Sequence, residues 1–351
     1  MKRILPATIL LFFLFSSGQK AFAWGFWAHQ RINRLAVFTL PPEMLPFFKK
    51  HIEYLTEHAV DPDHRRYAVE GEAERHYIDL DRYGEIPFEN VPRKWKEAVA
   101  KFTEDSLRKH GIVPWHISLD YYRLVDAFKS KDVRRILKVA ADLGHYIADS
   151  HVPLHTTENY NGQLTGQRGI HGLWESRIPE YVGLEYDYFV GQATYIEHPL
   201  DEAWKTVLES HAAVDSVLEF ERDLTSDFPS DRKYSFENRN SILVKVYSRE
   251  FCDAYSKLLN GMIERRIRAS VSRVGNFWYS AWVEAGQPDL KSLLNDGKEP
   301  EEEKMDPKLK IQDREAQDLG DAEPWKNKEE HAGCGHTCQA IKPSGELPLA
   351  E

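Results

Sequence analysis

Histidine and carboxylate side chains recur along this chain at spacings that suit a metal site. In the segment GHYIADSHVPLH, His145 and Asp149 are four residues apart, so on a helix both side chains project from one face. Pro153 limits that helix, and His155 follows in the loop just beyond it. His151 lies two residues past Asp149 and therefore faces elsewhere on a helix. Because zinc prefers imidazole and carboxylate ligands, this segment predicts part of a zinc site.

Two further segments offer ligands of the same types. GIHGLWESRI contains a second pair at i, i+4 spacing, His171 and Glu175, and an upstream segment contains Asp61 and His76. Taken singly, such a pair is more often a solvated hydrogen bond, and Asp61 before Pro62 is usually a turn or a helix stop. The ordered series strengthens the interpretation. Nine candidate ligands follow one another along the chain: Trp24, His29, Asp61, His76, His145, Asp149, His155, His171 and Glu175.

This series resembles the ligand set of a known superfamily, the zinc-dependent phospholipases C and the single-strand-specific zinc nucleases. The resemblance covers about residues 24 to 286. It implies a compact multi-helix domain that binds three zinc ions, Zn²⁺. In that family an N-terminal Trp binds zinc through its free α-amino group and its own carbonyl. The resemblance therefore implies that cleavage after Ala23 creates a ligand at Trp24.

The resemblance also implies a role for each ligand. One zinc would be held by Asp61, His76, His145 and Asp149. Asp149 would bridge to a second zinc, which would be completed by His29 and the amine and carbonyl of Trp24. The third would be held by His155, His171 and Glu175, with positions left open for water and substrate. A hydroxide that bridges two zinc ions would attack phosphorus, and Asp61 would also act catalytically by orienting or deprotonating the attacking water.

The predicted substrate depends on the branch of the family. The short interval after Trp24 is similar to the nucleases, whereas Glu175 and the short interval before His171 are similar to the phospholipases. Tyr77 stands where the nucleases place an aromatic ring that stacks on a base, although core packing explains it equally well. We predict a phospholipase C-like phosphodiester hydrolase that acts on a phospholipid head group. The alternatives are a nuclease that acts on single-stranded nucleic acid and a non-catalytic zinc-binding domain.

Helical periodicity dominates residues 24–295, so the predicted fold class is all-α. Residues 132–149 begin with an Asp near an N-cap and continue with one apolar stripe. The apolar residues of 240–285 predict one or two long helices. We find no alternating stretch that demands a sheet, and no internal repeat.

The first 23 residues are typical of a secretory signal peptide. Lys2 and Arg3 precede an apolar run at residues 9–15, and Ala21 and Ala23 supply the small residues of a cleavage site. The run is too short for a transmembrane helix, and no later stretch is long enough for one. We therefore predict a secreted or periplasmic protein without a transmembrane segment. No obligate protein partner is inferred.

The net charge constrains how the protein could bind a phosphate, and the cysteine content constrains how its fold is stabilised. The net charge is −10, and loss of the three positive charges in residues 1–23 would make it −13. An acidic protein is poorly suited to holding a polyanion through a basic surface, so bound cations would have to supply positive charge to a phosphate. Residues 296–351 carry a net charge of −7 and predict a disordered acidic tail with a CGHTC island, Cys334 to Cys338. The chain has only three cysteines, so no disulfide framework holds the fold together, and Cys252 is predicted to be a buried small hydrophobe.

Overall fold

The computed structural model describes residues 26–84, 90–239 and 242–295, which are mostly helical. This agrees with the helical class predicted from the sequence. The predicted signal peptide, Trp24 and the predicted acidic tail with its CGHTC island lie outside the described residues. No described helix combines the length and the apolar character needed to cross a membrane.

The described α-helices range from one to six turns, and short 3₁₀ turns and a π-helix connect several of them. The π-helix spans Gly172–Arg177. The α-helices are α1 (Phe26–Ala36), α2 (Leu45–Lys50), α3 (Ile52–Glu57), α4 (Asp61–Arg65), α5 (Trp95–Phe102), α6 (Glu104–Lys109), α7 (Val113–Ser130), α8 (Val133–Ser150), α9 (Ile178–Val182), α10 (Pro199–His211), α11 (Val214–Asp227), α12 (Arg249–Leu258) and α13 (Met262–Glu284).

Helix α8 lies at the centre of the domain and packs against α1, α7 and α13. Its start is fixed by Asp132, whose side chain accepts a hydrogen bond from the Arg135 amide at 3.2 Å. The predicted apolar stripe is buried along α8. The last two turns are buried on all sides, so polar side chains placed there lie inside the protein. The helix predicted over 132–149 is therefore confirmed.

A close crossing sets the position of α1 on α8. Gly144 lies at the crossing, where a Cβ atom would stand 2.0 Å from Oδ1 of Asn33. The Asn33 amide donates to the carbonyls of Leu55 at 3.3 Å and Ala141 at 3.1 Å. Asn33 is thus bound to both α8 and α3. His29 lies one turn before Asn33 on α1, so the crossing places His29 opposite the last turns of α8.

Helix α13 covers the other side of α1 and α8. The indole N–H of Trp278 donates to the carbonyl of Ala140 at 3.0 Å, and Trp278 is fully buried. Gly275 allows a second close approach, because a Cβ atom there would lie 1.9 Å from Oγ1 of Thr39. These contacts make α1, α8 and α13 one packed layer behind the predicted ligands.

The predicted helix over 240–285 is wrong in its first part. Strand β2 (Ile242–Tyr247) pairs with β1 (Tyr234–Arg239) as an antiparallel hairpin, with Tyr234 opposite Tyr247. The β-branched run of β2 favours a strand once a partner is available. Ser248 then caps α12 by accepting from the Phe251 amide at 3.2 Å. The remainder forms α12 and α13, as predicted, and Cys252 is buried with 1% of its surface exposed.

Candidate metal centre

Helices α1 and α8 bring three of the predicted ligands together. His145 and Asp149 are 0% and 2% exposed on the last turns of α8, and their Nε2 and Oδ2 atoms lie 3.2 Å apart. Nε2 of His29, from α1, lies 3.3 Å from the other carboxylate oxygen of Asp149. The imidazole rings of His29 and His145 stack with their centroids 3.9 Å apart. Asp149 therefore presents one oxygen to each histidine, which is the arrangement a bridging carboxylate needs.

A second group shares His145 and adds residues from α4 and the following loop. Nδ1 of His76 lies 2.8 Å from Oδ2 of Asp149 and 3.1 Å from Nε2 of His145. Oδ1 of Asp63 lies 3.8 Å from the His76 nitrogen and 3.7 Å from the His145 nitrogen. We call the five residues of these two groups the inner cluster: His29, Asp63, His76, His145 and Asp149.

The structure brings Asp63 rather than the predicted Asp61 to the inner cluster. Both residues lie on α4, and two residues along a helix turn a side chain by about 200°, so the two carboxylates face opposite sides. Asp61 instead lies 2.7 Å from Nδ1 of His58 and is 31% exposed. The resemblance to the zinc enzymes implied the first carboxylate of the DPD segment. Only the packing of α4 identifies the second.

Three further predicted ligands form an outer cluster: His155, His171 and Glu175. The two Nε2 atoms lie 3.1 Å apart, and the Glu175 carboxylate lies 3.3 Å from that of His155 and 3.0 Å from that of His171. His155 belongs to a 3₁₀ turn after α8, whereas Glu175 belongs to the π-helix. All three side chains retain some exposure, from 6% to 21%.

Backbone carbonyls fix which imidazole nitrogen faces each cluster. Nδ1 of His145 donates to the carbonyl of Ala59, and Nδ1 of His155 donates to the carbonyl of His76, each at 2.8 Å. A carbonyl only accepts, so these hydrogen bonds assign the proton to Nδ1 and leave Nε2 as the electron-pair donor. The Ile78 amide also donates to the carbonyl of His155 at 2.9 Å, which ties the two clusters together.

The buried charges depend strongly on one another. Burial alone would lower the pKa of His145, but the carboxylates of Asp149 and Asp63 raise it to about 9. Burial and the nearby Arg66 lower the pKa of His76 to about 4. Burial would raise the pKa of Glu175, yet the neighbouring outer-cluster histidines hold it below its ordinary range. The carboxylates of the two clusters therefore favour positive charge beside them.

A small pocket opens beside the outer cluster. The predicted aromatic residue Tyr77 and a second aromatic residue, Tyr160, line it together with Asp79 and Arg66. Trp27 is not among the residues that line the pocket and packs instead against Gly183. Trp174 is buried, with 3% of its surface exposed, and is not among the residues that line this pocket.

Sequence reasoning missed Arg66. Its guanidinium lies 4.0 Å from Asp63, and the charges of Asp63 and Asp149 raise its pKa although burial opposes this. A cation is thus fixed in the wall of the pocket beside both clusters. The signal in the sequence was the i, i+3 spacing of Asp63 and Arg66, which puts both on one face of a helix.

The chain was also compared with known proteins. No protein-family model and no curated protein matches it. The geometry of the two clusters is therefore the basis for assigning a function. Trp24, the remaining predicted ligand, lies outside the described residues.

Proposed function

We propose that the protein is a zinc-dependent phosphodiester hydrolase of the zinc phospholipase C and zinc nuclease type. The observation that supports this most is the proximity of the two clusters, since Nδ1 of His155 lies 3.7 Å from Oδ1 of Asp149, together with the pocket beside the outer cluster. A tetrahedral zinc with bonds of about 2.0–2.1 Å keeps its ligand atoms about 3.3 Å apart. The outer-cluster atoms are separated by 3.0 to 3.3 Å, which fits that geometry without rearrangement.

Three zinc ions are proposed, and their ligands follow the clusters. One is assigned to His29 and Asp149, to be completed by the amine and carbonyl of Trp24. The second is assigned to Asp63, His76, His145 and Asp149, with Asp63 in place of Asp61. The third is assigned to His155, His171 and Glu175. When bound, zinc would activate water and neutralise the charge on a phosphate group.

Three side chains in and beside the inner cluster are assigned separate roles. Asp149 holds the inner cluster together, because its two oxygens contact three histidines. Asp63 is 20% exposed, the most accessible inner-cluster carboxylate, and is suited to holding a water by a hydrogen bond. Arg66 is suited to donate to a phosphate oxygen from the pocket wall. We therefore assign the water-orienting role predicted for Asp61 to Asp63.

For the substrate we propose a phospholipid head group. Two tyrosine rings and the carboxylate of Asp79 line the pocket, and aromatic faces beside a carboxylate suit a cationic head group. The alternative is a single-stranded nucleic acid, which Tyr77 favours because its ring could stack on a base. The non-catalytic alternative is less favoured, since the outer cluster offers three protein ligands beside a pocket and leaves a position for water or substrate.

Export is part of the proposal. A free amine at Trp24 requires removal of residues 1–23, and such removal accompanies secretion or passage to the periplasm. A version that retains extra residues before Trp24 should lose one zinc from the inner cluster and with it most activity. Mass spectrometry of the exported protein would identify its first residue.

The deciding experiment is a substrate panel on the processed protein, with and without a chelator. Phosphatidylcholine, single-stranded DNA and a chromogenic phosphodiester are assayed, followed by readdition of zinc. We expect release of diacylglycerol that a chelator abolishes and zinc restores. Release of 5′-mononucleotides without diacylglycerol would establish the nuclease alternative. Hydrolysis that is insensitive to chelation would contradict the proposal as a whole.

A further inference from the structure

A buried carboxylate lies beside the nitrogen of His76 that does not face the inner cluster. Oε1 of Glu72 is 3.9 Å from Nε2 of His76, whereas Nδ1 faces Asp149 at 2.8 Å. Glu72 is 1% exposed and His76 is 0% exposed. Two residues that were not considered for the site from the sequence, Glu72 and Tyr146, thus border one of its ligands.

Glu72 is held as an anion by its neighbours. The hydroxyl of Tyr146 donates to Oε1, and Arg75 lies 2.6 Å from Oε2. A second guanidinium, from Arg65, lies 3.5 Å from Oε1. Burial would raise the pKa of Glu72, but these contacts lower it. Burying a carboxylate costs free energy even when the carboxylate is paired. The placement of Glu72 beside a candidate ligand therefore points to a role at that ligand.

The imidazole ring of His76 has one N–H group that needs a hydrogen-bond acceptor. If Nδ1 binds a metal, the proton of the neutral ring must be on Nε2. Among the described residues, no atom lies within hydrogen-bond distance of that nitrogen, and the ring is shielded from water. A buried N–H without an acceptor costs about 1–3 kcal/mol. Glu72 is the carboxylate at hand, and a movement of about 1 Å would bring Oε1 within the usual N–H···O distance.

We propose that Glu72 is a positioning residue that accepts the Nε2–H of His76 and fixes the ring for metal binding. The inference rests on the proposed function, because it takes the inner cluster as a zinc site. Hydrogen bonding of a ligand histidine to a carboxylate orients the ring and makes it a stronger ligand. Tyr146 completes the arrangement: it follows His145 on α8, and its ring packs edge-on to His76 with the centroids 5.3 Å apart.

The test compares zinc binding by Glu72→Gln with zinc binding by the processed wild-type protein. We expect the variant to bind inner-cluster zinc about 10- to 100-fold more weakly, as measured by competition with a chromophoric chelator. The visible spectrum of the cobalt-substituted protein should also change, because the orientation of His76 alters the ligand field. Tyr146→Phe removes only the hydroxyl that holds Glu72 and should weaken binding by about 2- to 10-fold.

A matched control separates positioning from a general structural effect. Glu221 is also a buried carboxylate, 0% exposed, and it is bound by Gln167, Thr225 and Lys233 instead of by the inner cluster. Glu221→Gln should lower thermal stability yet keep the zinc affinity and the cobalt spectrum of the wild type. Wild-type affinity and spectrum in Glu72→Gln would overturn the inference. If that variant does not fold, unchanged zinc affinity in Tyr146→Phe would overturn it.

The outcomes also separate this inference from the proposed function. A wild-type protein that binds zinc without hydrolysing any phosphodiester would contradict the enzyme, while weaker zinc binding by Glu72→Gln would still support the positioning role. Active wild-type protein with unaltered zinc binding in both variants would contradict the positioning role alone. A wild-type protein that binds no zinc would contradict both.

Discussion

The inner and outer clusters use the same types of ligand in different surroundings. The inner cluster lies on α1, α4, α8 and the loop that ends at His76, and four of its five members are at most 7% exposed. The outer cluster lies on a 3₁₀ turn and a π-helix and opens onto the pocket. Buried ligands, three of which lie on α1 and α8, favour tight binding. The outer ligands His171 and Glu175, which are 15% and 21% exposed, favour exchange with water and substrate.

The π-helix at Gly172–Arg177 carries one of the exposed ligands of the outer cluster. The sequence predicted an ordinary helical pair at His171 and Glu175, but Glu175 lies in a π-helix with His171 just before it. Such wide turns are rare and frequently occur at functional sites. Here the wide turn still brings both side chains to one face, and it does so at the mouth of the pocket. The element that carries the exposed ligand is therefore also the irregular one.

The largest effect is expected from Asp149→Asn, which acts at the centre of the inner cluster. The substitution removes the charge that faces three histidines, so zinc content should fall from three ions to one. Activity should fall by about 1000-fold, measured with a chromogenic phosphodiester and elemental analysis. Glu221→Gln is the matched control, because Glu221 is also a buried carboxylate and is bound by Gln167, Thr225 and Lys233 outside both clusters. Three bound zinc ions in Asp149→Asn would show that the inner cluster does not depend on Asp149.

A second test compares the neighbouring carboxylates of α4. Asp63→Asn should lower activity by about 100-fold, because Asp63 faces His76 and His145. Asp61→Asn should change activity by less than about threefold, since Asp61 contacts His58 outside both clusters. The ratio of kcat/KM between the two variants measures this directly. The opposite ranking would restore the assignment made from the sequence.

The outer cluster should respond differently from the inner cluster. Glu175→Gln removes one of three ligands, so we expect the loss of one zinc with the other two retained. Activity should fall by about 100-fold, with thermal stability nearly unchanged because the side chain is 21% exposed. Elemental analysis and thermal unfolding of the same sample provide both measurements. Loss of all three zinc ions would show that the two clusters bind as one unit.

The sequence was informative where one helix carries both members of a pair. The spacing of His145 and Asp149 needs only the helical period, and α8 places both as predicted. Asp63 and Arg66 were missed because the orientation of α4 depends on its packing against distant residues. The hairpin that begins at Tyr234 was missed because β2 gains its stability from pairing with β1. Local patterns thus predicted ligand types and helices, whereas contacts between distant elements determined which carboxylate reaches the site.

The smallest effect on chemistry should come from Gly144→Ala, which acts on the scaffold of the inner cluster. The added methyl group would meet the Asn33 side chain at the crossing of α1 and α8, and such overpacking costs about 1–3 kcal/mol. Melting temperature should fall by several degrees, and His29 should shift away from Asp149 because Asn33 lies one turn beyond it. Arg134→Ala, at an exposed position of the same helix, is the control and should change little. Zinc affinity should therefore decrease at the inner cluster and stay unchanged at the outer cluster, which depends on neither α1 nor its crossing with α8. Equal loss at both clusters would indicate that α8 couples them through the turn that carries His155.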